Sequence, residues 1–94
     1  MFTVTMRIAP PEPGGVADPQ AIKALVMASA LPEDRLENVY VQAASNGRAD
    51  VVVILSLADL SDVQITIAAL NVRLLRDGLP GWRLEKMRLE PTIR

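Results

Sequence analysis

The chain has 94 residues, half of them apolar, and its ten bases against eleven acids leave a net charge of −1, which suits one globular domain with a modest core. Cysteine and histidine are both absent, which excludes disulfides, thiolate nucleophiles, imidazole bases and the common zinc and haem sites, and no cofactor is expected. The charges are interspersed and no apolar run approaches a bilayer span, so neither nucleic acid nor membrane is an expected partner.

Met1 to Thr5 lacks the basic start and apolar stretch of a signal peptide, so the cytoplasm is the expected location. Residues 1–8 alternate with period two, placing Phe2, Val4, Met6 and Ile8 on one face of a strand and Thr3, Thr5 and Arg7 on the other. Three prolines and two glycines between Ala9 and Gly15 forbid regular structure and predict a connecting loop. Asp18-Pro19 then opens a helix over 19–30, the carboxylate serving as cap and the proline losing no bond at the first helical position. Ile22, Leu25, Val26 and Ser29 form its inner stripe, and Pro32 ends it.

Glu33-Asp34-Arg35 reads as a solvated charged turn into a strand over 36–44, where Val39, Val41 and Ala43 alternate with Asn38, Tyr40 and Gln42. The next strand, 48–57, holds Val51-Val52-Val53-Ile54-Leu55 and is the one segment whose two faces both look buried, so it belongs at the centre. A three-residue loop, Ser45-Asn46-Gly47 with Gly47 left-handed, pairs Val41 with Val51 and Val39 with Val53, which collects one core face; a two-residue turn would scatter it. Asp59 or Ser61, the latter with Gln64, can cap a helix over 60–77, whose stripe of Leu60, Val63, Ile67, Leu70 and Leu74 is widened by Ile65, Ala68, Val72 and Leu75. Gly78 supplies the stop. Residues 82–89 read as a fourth strand whose parity switches between Leu84 and Met87, through a bulge near Glu85-Lys86 or because the strand is buried on both faces at different points, and Glu90 to Arg94 as a loose tail.

Strand, helix, strand, strand, helix, strand with right-handed crossovers predicts an α+β, ferredoxin-like two-layer sandwich. The spatial order is 4-1-3-2, all neighbours are antiparallel, and both helices cover one face. The uncovered face then carries Thr3, Thr5, Arg7, Tyr40, Gln42, Asp50, Val52 and Ile54. Its centre is apolar and its margin polar, the anatomy of an interface, and a homodimer is the simplest assembly that closes it. Free edges of the second and fourth strands are further places for a partner strand to add.

The carboxylate clusters Glu33-Asp34 and Asp59-Asp62 are explained by turn solvation and capping, so no catalytic residue is assigned. Asp50 reads as a rim charge paired with Arg7 or Arg48. Sheet-type RNA readers stack bases on aromatics, and Tyr40 alone makes a poor platform. Trp82 fits a lid at the edge of the core better than a ligand-stacking residue.

Glu12-Pro13-Gly14 after the first strand, Asn38-Val39-Tyr40, and Asn46-Gly47-Arg48-Ala49-Asp50-Val51-Val52-Val53 leading to the second helix together give the chain a pattern that resembles the ACT family of small ligand-binding regulatory modules. In that family the acidic-Pro-Gly turn leads into the first helix and helps line an amino-acid site. Here Gly15 to Pro19 intervene. The resemblance implies dimerisation, a regulatory role and a ligand loop at Pro13, Gly14, Gly15 and Val16. The leading expectation is a non-enzymatic interaction domain, dimeric through the open face and binding a protein or peptide. The alternatives are an amino-acid-like ligand held between subunits, or an enzyme whose cavity forms on dimerisation around Tyr40, Asp50 and Arg7.

Overall fold

The structure, a computed structural model, describes residues 1–12 and 17–92. Its elements in chain order are β1 (Phe2–Ala9), α1 (Pro19–Ser29), β2 (Leu36–Ala43), β3 (Ala49–Leu55), α2 (Leu60–Arg73) and β4 (Arg83–Pro91). They form an α+β fold with a four-stranded antiparallel sheet in the order β2-β3-β1-β4, which read from the other edge is the expected 4-1-3-2. The arrangement is compatible with a ferredoxin-like sandwich.

Register decides which side chains meet. Val4 lies opposite Val53 and Met6 opposite Val51 across β1 and β3, while Val39 faces Val53 and Val41 faces Val51 across β2 and β3. The loop between β2 and β3 is Ser45–Gly47, with Asn46 and Gly47 both at positive φ (61° and 76°). Asn and Gly are the residues that tolerate that region, so the loop fixes the expected register by its own chemistry. Val4, Met6, Ile8, Val51, Val53, Leu55 and Val39 are all at most 2% exposed, and Ile22 and Val26 of α1 with Val63, Ile67 and Leu70 of α2 join them in one cluster. Both helices therefore pack on the same face.

α1 opens as expected, with the Asp18 carboxylate accepting from the Gln20 and Ala21 amides. α2 takes the first of its two expected caps and departs from expectation at two later places. Its cap is Asp59, which accepts from the Ser61 amide at 2.8 Å; the helix thus begins at Leu60, and Ser61 lies inside the first turn instead of pairing with Gln64. The regular helix ends at Arg73 and continues as a wider turn, Leu74–Gly78, where a side chain on Gly78 would press on Leu74 and Leu25. Ile65 and Val72, expected to widen the inner stripe, are 70% and 59% exposed. At about 100° per residue they fall opposite Val63, Ile67, Leu70 and Leu74, whereas Leu75, also expected to widen the stripe, does pack against the core.

The Glu33-Asp34-Arg35 turn is also different from a solvated one. Asp34 is only 5% exposed. Its carboxylate accepts from the Leu31 amide at 2.8 Å and from Arg73 Nη2 at 2.5 Å, and Arg73 Nε donates to the Ser29 carbonyl at 2.9 Å. One arginine near the end of α2 thus ties the end of α1 to the turn that launches β2, and the Ser56 amide holds the Arg35 carbonyl at 2.8 Å from the β3 side. The C-terminal segment is likewise less loose than expected. β4 runs through Pro91, which sits on a sheet edge where its missing N–H costs nothing, and Thr92 bonds Thr3 Oγ1 at 2.6 Å.

Breaking the Asp34 and Arg73 pair from one side leaves a half-buried guanidinium and the Leu31 amide unsatisfied. Asp34→Ala is expected to lower the unfolding free energy by about 2 kcal/mol, measured by urea denaturation. Asp18→Ala, at an exposed cap, is expected to cost about 1 kcal/mol in the same assay.

Candidate functional site

The sheet face away from the helices is organised as rows that cross all four strands. Asn38, Ile54, Thr3 and Glu90 form one row, Tyr40, Val52, Thr5 and Arg88 the next, and Gln42, Asp50, Arg7 and Lys86 the third. Beyond them Ala9 lies opposite Arg83, flanked by Arg48, the residue just before β3. All eight residues expected on this face are on it. Val52 and Ile54 are only partly exposed, and Tyr40 is 54% exposed.

The rows divide the face into two halves. The half toward the start of β1 sets Ile54 and Val52 among Asn38, Thr3, Thr5 and Tyr40 and is uncharged apart from Glu90 and Arg88, which pair at 3.3 Å. The other half is densely charged. Arg7 donates to both oxygens of Asp50, at 2.8 and 2.9 Å, and Arg48 donates to both oxygens of Glu85, at 2.5 and 3.1 Å. Bidentate forks of this kind hold both partners in one plane. Over the face as a whole, Arg7, Arg48, Arg83, Lys86 and Arg88 outnumber Asp50, Glu85 and Glu90, although the chain is slightly acidic.

Glu85 enters the face through the predicted bulge. The pairing of β1 with β4 shifts between Arg7 and Ile8, so that Lys86 faces Arg7 while Leu84 faces Ile8, and Glu85 is left as the extra residue. Two neighbouring residues then project to one side instead of alternating. The switch of parity in the sequence signalled the bulge; what it did not signal was that the inserted carboxylate would find Arg48.

Two open depressions lie on this face. One, of about 360 Å³, is lined by Thr5, Arg7, Asp50, Lys86, Met87 and Arg88. The other, of about 530 Å³, sits at the loop end between Ala9, Pro10, Pro11, Glu12, Asn46, Arg48, Gly81 and Arg83. Tyr40 lines neither, and its hydroxyl accepts from Asn38 Nδ2 at 2.8 Å. The structure therefore brings Arg7 and Asp50 together and leaves Tyr40 apart. The loop residues Pro13, Gly14, Gly15 and Val16 lie outside the described residues. Trp82 is half-buried against the core, as a lid would be.

The two carboxylates of the charged half are held below the usual range. Asp50 is lowered by its hydrogen bonds from Arg7, with burial opposing and the charges of Arg7 and Lys86 assisting. Glu85 is lowered by its hydrogen bonds from Arg48, against a smaller burial effect, with the charges of Arg48, Arg83 and Arg7 assisting. Arg7 and Arg48 are raised by the same bonds.

No family model matches the chain, and comparison with curated proteins returns no significant match. No helix among the described residues is long and apolar enough to cross a membrane.

A carboxylate with a folded pKa below its unfolded value of about 3.9 stabilises the fold fully above that value and loses the contribution as pH falls through the folded one. Carboxyl NMR titration is expected to place the Asp50 midpoint below the ordinary range and to show it moving up in Arg7→Gln. An unmoved midpoint would mean that the fork does not persist in solution.

Proposed function

We propose that the chain is a non-enzymatic interaction domain of ferredoxin-like architecture, regulatory in role and cytoplasmic, that dimerises through its open sheet face and takes a protein or peptide partner. The observation that carries this reading is the pair Val52 and Ile54, apolar, at the centre of a sheet face that neither helix covers. Interfaces have an apolar middle and a polar margin, and a two-fold contact needs only one self-complementary patch.

Catalysis by acid and base needs free titratable groups gathered in a concave site. Here the strongest groups are spent on one another, Arg7 on Asp50 and Arg48 on Glu85, and the depression above them is open. Such pairing favours a recognition surface. The excess of cations at the rim favours an acidic segment in the partner.

A second reading is an amino-acid-like ligand at the loop end, supported by the ACT-like pattern and by the convergence of Arg48 and Arg83 on the 530 Å³ depression beside Glu12. Arg48 is already forked to Glu85, so the group for a ligand carboxylate is Arg83, which makes no ion pair among the described residues. Calorimetry with free amino acids addresses it directly, and binding that survives Arg83→Glu would remove it.

The sheet-face reading is tested by sedimentation equilibrium. The parent chain is expected to dimerise, and Ile54→Glu to weaken that association by about tenfold or more, because a charge placed at the centre of an apolar contact loses its water without gaining a partner. Equal association of both proteins would sink it.

A further inference from the structure

α2 is apolar on two sides. Val63, Ile67, Leu70 and Leu74, just past its end, are buried, while Ile65 and Val72 are exposed together with Ala68 and Ala69. Arg73 reaches Ser29 of α1, and Asn71 Nδ2 touches Met87 Sδ of β4 at 4.0 Å. Those two positions mark the flanks of the helix, and the line from Ile65 to Val72 faces away from both. Scattered surface apolar residues are ordinary. These are not scattered: Ser61, Ile65, Ala68 and Val72 follow in steps of four, three and four residues, the spacing of a seam between paired helices.

We infer that this seam is a self-association surface at which two copies pair their α2 helices antiparallel, about a two-fold axis at Ala68 and Ala69. The charges choose both the occupant and the direction. A two-fold centred there sets Ile65 of one copy against Val72 of the other, twice, and brings Asp62 of each copy to Arg76 of its partner. Asp62 makes no ion pair among the described residues, and Arg76 is engaged only by its chain neighbour Asp77, with side-chain exposures of 67% and 64%. Parallel pairing would stack Asp62 on Asp62 and Arg76 on Arg76, like charges at close range. The alanines at the centre present little bulk, so the helix axes approach to roughly 8 Å, the close end of the usual range. This surface lies on the opposite layer from the open sheet face, so the inference stands apart from the reading given above.

The absence of cysteine makes the test direct, because each introduced thiol is the only one in the chain. Under mild oxidation Ala69→Cys is expected to give a cross-linked dimer, since residues beside the axis fall within the roughly 7 Å that a disulfide spans. Ser61→Cys on the same face is expected to stay uncross-linked, its two copies being held roughly 20 Å apart by the antiparallel arrangement. Adding Val72→Glu is expected to abolish the Ala69→Cys cross-link, and Ile54→Glu to leave it in place. Cross-linking at both positions alike, or at neither, overturns the inference. Loss of all association with Ile54→Glu, with no cross-link at either position, overturns it while upholding the sheet-face dimer.

Discussion

Everything in this molecule depends on the register of β3 between its two neighbours. In a strand the side-chain period is two, so a slip by one residue would carry Val51 and Val53 to the open side and drive Asp50 and Val52 under the helices. The slip is prevented at the hairpin, where Asn46 and Gly47 accept positive φ and so fix which residues of β2 lie opposite β3. It is prevented again across β1, where Arg7 and Asp50 can fork only if Val4 meets Val53. A local turn preference and a long-range ion pair thus enforce the same alignment, and agreement between levels is what lets a sequence specify one fold.

Much of this was legible from residues alone, for identifiable reasons. The alternation in Phe2 to Ile8, the Asp18-Pro19 cap and the broken parity after Trp82 are local signals, and each produced its element. Facing arguments extended them to the hairpin register and to the eight residues of the open face. What escaped was what depends on tertiary space. An acid in a charged triplet carries no mark that an arginine 39 residues away will bury it, as Arg73 buries Asp34. Ile65 and Val72 are a different case: they read as inner on apolar character, although helical periodicity puts them opposite Val63 and Ile67, and they lie outer. Of the two caps read for α2, Asp59 and Ser61, it is the aspartate, the stronger acceptor, that serves.

The two layers of the sandwich consequently present different chemistry to solvent. The sheet side has a half that is nearly uncharged, with Val52 and Ile54 among hydroxyl and amide groups, and a half in which opposite charges are already matched, with cations left over. The helix side exposes methyl and methylene groups along α2. A domain with two such surfaces has two ways to engage other chains, one graded by charge and ionic strength and one by apolar area.

The outer edge of β4 shapes the size of what such a domain builds. Arg83, Glu85, Lys86, Arg88 and Glu90 put charge at five of the nine positions of this strand, and Pro91 closes it without a donor. An incoming strand of the same sequence would have to bury that mixture of signs in register against itself. Ribbon-like growth by strand addition along this rim is therefore opposed, whatever the faces of the sandwich do.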